Sequence, residues 1–520
     1  MKLYQWQENC LKAWEDHAFR GIVNVITGAG KTVFALAAME KLQERYPDLK
    51  IRIVVPTIPL ANQWKQTLLR WAKEEKELPG FYGGMRKDRA DRKIMIYIVN
   101  SARTALSRHL RAEFAAGAHV LLICDECHHY QSSENRKIFD FLTPEIQASP
   151  FYSSLGLSAT PFTDEEDGTF LKRVLGNEIF RYDFTQAACE GVISPFTVCQ
   201  VAVSFRKQER EEYEGLSERI RLVTARLYQQ YPSLRDLPER EFLKRVSAIA
   251  GESGFDPETL PAAFLLLCYR RKEISVLAES RIDCCLSLIE RLPTKDRILV
   301  FCERIEQAEE TAGVIRRRLG AGSCGIYHSG MTKEARARNM ALFRDGSVRI
   351  LVSCRCLDEG IDVPDANIGI VLSGSAVRRQ RVQRLGRVIR RARGKETACL
   401  YYLYIRESSD DRSFLRELSS GRCFDLQYDP DDREFSNDLY EYTANDLLHR
   451  AGKAGYTENQ MSELRRCLLL GLTRADYLLA EPVQRMAAEN AKTGKEKNYW
   501  NAMCRIGQYY QEKEHDTDEL

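Results

Sequence analysis

Long apolar runs are missing from this 520-residue chain. None approaches the ~18 residues that a membrane-crossing helix needs, so no membrane partner is expected. A secretory leader is missing too: the first residues pass straight into a polar, tryptophan-bearing helical pattern, Leu3-Tyr4-Gln5-Trp6-Gln7, and a cytoplasmic protein is expected. Net charge is scarce, with 77 Lys and Arg against 74 Asp and Glu and a formal total of +3. That balance excludes a global field as the means of holding a polyanion and leaves only local patches. Cysteine is plentiful at 16, but pairing is not. Cys124 and Cys127 form a C-x-x-C with no second such pair, and others, such as Cys10, Cys268 and Cys399, stand alone among apolar residues. Zinc and structural disulfides are therefore not expected. There is no internal repeat, low-complexity segment or nuclease motif.

What is present starts with the apolar run Ile22-Val23-Asn24-Val25-Ile26, which leads into Thr27-Gly28-Ala29-Gly30-Lys31-Thr32 and then a helical pattern from Val33 to Leu42. Strand, glycine turn and helix in that order make a phosphate-binding loop. The two glycines let the backbone curl so that its N–H groups point at phosphate oxygens, at the positive end of the helix. Lys31 would reach the β- and γ-phosphates and the Thr32 hydroxyl would ligate Mg²⁺, so ATP and Mg²⁺ are the expected cofactors. The first glycine of the eight-residue pattern is replaced by Val25.

Further apolar runs end in polar groups. Ile51 to Val55 ends in Pro56-Thr57, and Ile94 to Val99 ends in Asn100-Ser101. Groups at the C-terminal ends of parallel strands face the crevice where ligands bind, and there they either hold nucleic-acid phosphates or simply make turns. Val120 to Cys124 delivers Asp125-Glu126-Cys127-His128. A buried strand ending on two carboxylates asks for a cation; Asp125 would hold Mg²⁺, and Glu126 would orient and deprotonate a water. His128 is placed to couple this site to Leu157-Ser158-Ala159-Thr160-Pro161, with the hydroxyls of Ser158 and Thr160. Gln7 offers the acceptor and donors that suit an adenine edge, with Trp6 or Tyr4 beside the ring; a surface glutamine next to a core aromatic is the equal alternative.

The second half adds a strand from Arg297 to Cys302, then Tyr327-His328-Ser329-Gly330-Met331 and a strand from Arg349 to Ser353. Leu357 to Pro364 reads LDEGIDVP and Gln383 to Arg390 reads QRLGRVIR. Taken with Gln7, TGAGKT, DECH and SATP, this ordered set resembles the superfamily 2 helicases, from residue 3 to about 390. Its wording is similar to the XPB-like and type III restriction-subunit branch, although XPB's Arg-Glu-Asp tripeptide is absent. The resemblance implies two tandem RecA-like, doubly wound α/β domains. It also implies nucleotide contacts from Gly360 and Asp362, and catalytic roles for Gln383, Arg387 and Arg390, the two arginines crossing to the γ-phosphate. A planar, permanent cation suits that task. Eight arginines between Arg378 and Arg393 exceed what two such residues require.

The expected layout is a first motor domain at 1–200, a helical insertion at 201–275, a second motor domain at 276–415 and a helical C-terminal domain at 416–520. In relatives the insertion grips duplex DNA, and Arg270-Arg271-Lys272 would touch the backbone or else form an ordinary solvated helix end. From Asp425 to Asp446 the chain is acidic and reads as a linker, with a turn at Asp429-Pro430-Asp431-Asp432. The helices beyond it would dock on the motor or on a protein partner, or form a helix-turn-helix. The function expected is an ATP-dependent DNA helicase or duplex translocase, with DNA favoured over RNA. An RNA-remodelling ATPase and an ATP-gated clamp or scaffold within a repair, restriction or phage-defence complex are the alternatives.

Overall fold

The computed structural model describes residues 2–71, 78–84, 86–162, 165–252, 254–354, 366–373, 384, 386, 388, 398–409, 423–436, 452, 456–461 and 476–518. Two sheets of eight strands organise them. The first holds β1 (Arg20–Val25), β2 (Lys50–Val55), β3 (Gly80–Gly83), β4 (Arg86–Lys87), β5 (Ile94–Ile98), β6 (Val120–Asp125), β7 (Tyr152–Ser158) and β8 (Glu178–Tyr182). Their spatial order is β4-β3-β5-β2-β6-β7-β1-β8, and only the β3–β4 edge pair is antiparallel. Crossover helices cover both faces, so β2, β5 and β6 are buried almost throughout instead of alternating, Arg52 included. Asn24 pairs with Ser158 and Asp125 with Leu157. The register thus sets the ends of β1, β7 and β6 side by side.

Helix α1 (Gln5–Asp16) precedes this sheet and buries Trp6, Cys10 and Trp14, which recur one turn apart. Trp6 stacks on Tyr182 with ring centres 5.1 Å apart, and Trp14 Nε1 donates to the Ser154 carbonyl at 3.0 Å. The crossovers next in sequence are α2 (Lys31–Arg45), α3 (Ile58–Trp71) and α4 (Val99–Ala115).

The second sheet holds β9 (Phe196–Val203), β10 (Ile298–Cys302), β11 (Cys324–Tyr327), β12 (Ile350–Cys354), β13 (Ile368–Val371), β14 (Ala398–Ile405), β15 (Cys423–Asp429) and β16 (Glu434–Ser436). Its order is β11-β12-β10-β13-β14-β9-β15-β16. Two features depart from the sequence reading. Strand β9 straddles the boundary expected at residue 200 and pairs in parallel with β14 and β15. The acidic stretch from Asp425 is not a linker where it is described: β15 continues the sheet, and the turn at Asp429–Asp432 leads into β16. The reason is period-two burial, with Leu426 and Tyr428 in the core and Gln427 between them on the other face. The sheet therefore runs on past the boundary expected at 415, and β14 is an interior strand.

Between β9 and β10 lie helices Lys207–Gln230, Glu239–Glu252 and Leu260–Leu277. They bury a small core of their own, including Leu216, Leu227, Val246 and Phe264. Helix Glu279–Arg291 already belongs to the core of the second sheet. Near the C-terminus, helices Glu481–Glu489 and Gly494–Asp518 pack together, and Tyr477, Met503 and Ile506 enter that same core. The Leu468–Leu472 stretch and the glycine turn at 471 lie outside the described residues. Among the described residues, no helix is long and apolar enough to cross a membrane.

Candidate active site

Strand β1 ends at Val25, and Gly28 (φ 90°) and Gly30 (φ 97°) turn the chain into α2 through left-handed backbone that favours glycine. Lys31 is the first residue of α2, and its Nζ lies 3.3 Å from Glu126 Oε1. Ala29 is buried, Gly28 is exposed, and Thr27 and Thr32 are half-buried. Gln7 is buried as well: its Nε2 donates to the Gly30 carbonyl at 3.1 Å and its Oε1 accepts the Tyr4 N–H at 2.9 Å. Its amide is thus already bonded to the loop. Trp6 is not available beside a base, because the stack on Tyr182 holds it in the core, whereas Tyr4 is exposed.

The carboxylate pair sits where β6 ends. Glu126 takes a left-handed conformation, φ 48°, which swings its side chain toward the lysine. Asp125 is buried, its Oδ1 accepting the Glu126 N–H at 3.0 Å and its Oδ2 accepting Trp64 Nε1–H at 2.7 Å. Burial, reinforced by the neighbouring Glu126 charge, pushes the Asp125 carboxyl up to about 6; Lys31 and the Trp64 donor work against that rise. The Tyr130 hydroxyl lies 2.8 Å from both the Val54 and Asp125 carbonyl oxygens and so ties β2 to β6. His128 Nδ1 sits 2.9 Å from Ser158 Oγ and 3.5 Å from Glu126 Oε2. Ser158 is fully buried and also accepts the Thr160 N–H at 3.1 Å, so it faces the carboxylate strand and not open solvent.

A hydroxyl and a carboxylate, Thr32 and Asp125, are hard oxygen donors of the kind that suit Mg²⁺. With two carboxylates against Lys31 and a glycine-lined helix start, the residues present fit a Mg²⁺–nucleotide. Among the described residues, no group of three or more His, Cys, Asp or Glu could hold a metal on its own.

The remaining positions fall into three groups. Pro56 and Thr57 are half-buried at the end of β2, and Thr57 caps α3 by accepting the Leu60 N–H on its hydroxyl (3.4 Å) and the Ala61 N–H on its carbonyl (3.1 Å). Asn100 and Ser101 occupy the first turn of α4, Asn100 exposed and Ser101 half-buried. Arg270, Arg271 and Lys272 do not form one track, because successive helix residues point about 100° apart. The Arg271 guanidinium sits 5.4 Å over the Tyr213 ring and Lys272 Nζ lies 3.9 Å from Glu303 Oε1, while Arg270 joins Arg219 and Arg226 along a groove of 350 Å³. Gly360, Asp362, Gln383, Arg387 and Arg390 lie outside the described residues. Their neighbour Gly386 does not: it sits flush on Thr27 of the phosphate loop, where any side chain would collide with the threonine hydroxyl. Buried Arg384 donates to the Ser373 carbonyl at 3.2 Å.

Sequence reasoning missed Trp64, Tyr130 and the Gly386–Thr27 contact. Trp64 lies on the helix that follows Pro56-Thr57, and nothing local shows where its N–H goes.

A phosphate loop on one doubly wound sheet, touched by a glycine of a second, defines a P-loop nucleoside triphosphatase with tandem motor domains. Family models agree: residues 1–163 match "Type III restriction enzyme, res subunit" and residues 280–392 match "Helicase conserved C-terminal domain". The chain belongs to the superfamily 2 helicases. It is 29% identical over 391 residues to the "DNA 3'-5' translocase XPB2" of Sulfurisphaera tokodaii, covering 75% of this chain and 79% of that one. It is 25% identical over 398 residues to the "DNA 3'-5' helicase XPB" of Kineococcus radiotolerans, covering 76% of this chain and 58% of that one, little more than half of the relative's length. In fold it is similar to the Pyrococcus furiosus Hef helicase domain, with a TM-score of 0.53 at 16% identity, over 78% of this chain and 96% of that one.

Proposed function

We propose that the chain is an ATP-dependent DNA helicase or double-stranded DNA translocase that works in the cytoplasm. The observation that carries the reading is the 3.3 Å pair between Lys31 and Glu126, on a loop that Gly386 of the second domain touches. Hydrolysis of bound ATP supplies the free energy for movement. Lys31 and the N–H groups of Thr27 to Thr32 bind the phosphates, and Thr32 and Asp125 hold Mg²⁺. Glu126 orients a water and takes its proton at Oε2, the oxygen that faces His128 Nδ1 at 3.5 Å rather than Lys31. Gln7 fixes the base end of the loop, and Gly360, Asp362, Gln383, Arg387 and Arg390 complete the site from the second domain.

Closure around nucleotide would tighten the contact that Gly386 already makes with the loop; reopening lets the domains step along the polymer. Pro56, Thr57, Asn100, Ser101, Thr160 and Arg270 supply contacts to the phosphate backbone. His128 and Ser158 connect those contacts to Glu126. Both relatives named above are described as acting on DNA with 3'-to-5' polarity, and the same substrate is proposed here.

The test is the ATPase rate across duplex DNA, single-stranded DNA and RNA, run beside a strand-displacement assay. Stimulation by DNA well above that by RNA is expected. Equal or greater stimulation by RNA would replace this reading with an RNA-remodelling one. DNA-gated ATP binding without turnover-linked movement would leave a clamp.

A further inference from the structure

Asp125 is held by a residue that neither the phosphate loop nor the carboxylate strand contributes. Trp64 lies on α3, is 1% exposed, and donates its indole N–H to Asp125 Oδ2 at 2.7 Å across 61 residues of sequence. The other carboxylate oxygen takes the Glu126 N–H at 3.0 Å. Two donors therefore fix the plane of the carboxylate, one from its own strand end and one from a helix. A buried tryptophan needs a partner for its N–H, and a carbonyl would serve. Here the partner is an ionisable group, and a charge-assisted bond is shorter and more directional.

The other end of α3 gives the contact a second meaning. The helix starts at the tip of β2, where Thr57 caps it and Ile58, 54% exposed, stands at the surface. From Thr57 to Trp64 is about 10 Å of helix, short enough to move as one body.

We propose that Trp64 is a positioning residue that sets the orientation of Asp125 for the metal, and that α3 ties this orientation to occupancy of the Pro56-Thr57 strand end. The second half rests on the motor reading above; the first does not. A small displacement of α3 lengthens or shortens a single 2.7 Å bond, and with it changes how tightly Asp125 is aimed. The ATP site thereby senses a ligand at the strand end without any residue reaching between the two.

Trp64→Phe keeps an aromatic ring and removes the donor. In the full chain, the Mg²⁺ concentration needed for half-maximal binding of a fluorescent ATP analogue should rise about 10-fold, the effect typical of losing a partner that orients a metal ligand. Binding of the analogue in EDTA should be unchanged. The ratio of DNA-stimulated to basal ATPase should fall by a similar factor while DNA affinity stays. In an Asp125→Asn background, Trp64→Phe should change the Mg²⁺ dependence no further. A Mg²⁺ dependence equal to wild type, or an equal shift in the Asp125→Asn background, would overturn the positioning role.

Should Trp64→Phe not fold, the wild-type chain decides. With its five tryptophans labelled at the indole nitrogen, one N–H resonance should shift with Mg²⁺–nucleotide and broaden with Mn²⁺. No responsive resonance would overturn the proposal. If no DNA stimulates the wild-type ATPase, the motor reading fails, and the Mg²⁺ measurements still judge Trp64.

Discussion

The two sheets share strand number, parallel core and an antiparallel edge pair, yet they end differently. The first sheet leaves reactive groups at its strand ends: Lys31 beyond β1, Asp125 and Glu126 at β6, Ser158 at β7. The corresponding region of the second sheet is closed by a buried cation. Arg281 is 1% exposed, and its guanidinium donates to the carbonyls of Leu372 beyond β13, Leu403 of β14 (2.9 Å) and Ser275 (2.8 Å). Burial lowers the guanidinium to about 10, which still leaves it charged at neutral pH. One sheet thus keeps its polar groups poised for a ligand, and the other uses its own to lock its strands. The difference teaches that a duplicated architecture can be divided into a chemical half and a rigid half.

Three changes would break or sharpen that contrast. The largest effect is expected from Glu126→Gln in the chemical half, which removes the proposed base and spares Asp125. Turnover should fall ~10²- to 10⁴-fold, the range of general-base catalysis, with nucleotide still bound. ATPase measured beside a titration with labelled nucleotide checks it, and a wild-type rate would refute the assignment of Glu126.

Next is Arg281→Leu in the rigid half. It strands three carbonyls that the guanidinium now satisfies, a loss of about 3 kcal/mol at ~1 kcal/mol each, the low end for a buried group left without a partner. Calorimetry should show a transition lowered by roughly 6–12 °C, while nucleotide affinity at the phosphate loop is retained. If affinity at the loop fell with it, the halves would not be separable in this way.

The smallest effect concerns Asp125→Asn without metal. The folded carboxyl is raised to about 6 from an ordinary 3.8, so ionisation is disfavoured in the native state. The native state then binds more protons than the unfolded chain, and stability falls as pH rises through that window. In EDTA at pH 8 the Asn variant should be the more stable, by about 1–3 kcal/mol at 1.36 kcal/mol per unit. At pH 4 the gap should close. A gap independent of pH would show that burial does not strain this carboxylate.

The chemical half was largely legible in the sequence because its signals are local. An apolar run, two glycines and a lysine specify a loop within six residues, and two adjacent carboxylates after five buried residues specify a metal corner. What failed was non-local. Strand β9 falls across the boundary expected at residue 200, because nothing in Phe196 to Val203 says that it lies between β14 and β15. Around Asp425 the acidic residues mask the alternation of Leu426 and Tyr428, so a strand reads as a linker. Trp6 reads as a neighbour for a base because its helix abuts the loop, whereas packing against Tyr182, Phe34 and Phe180 claims it. Arg270, Arg271 and Lys272 look like one patch when written in a line and diverge once wound on a helix.

The placement of β9 has a mechanical consequence. The insertion leaves the second sheet at Val203 and returns to its core at helix Glu279–Arg291, so both of its feet stand on the same body. It is an arm clamped at both ends, so any movement of the second sheet carries it along. Between helix Phe184–Cys189 and β9, the chain crosses from the first sheet to the second in the short stretch 190–195, where Gly191 takes φ 66° and Pro195 accepts a backbone bond from Ala398. Helix Glu481–Glu489 comes back to rest against helix Phe184–Cys189 beside that crossing. The short crossing thus has a brace alongside it, and any rotation of the second sheet about that crossing would show at the tip of the arm in proportion to the arm's length.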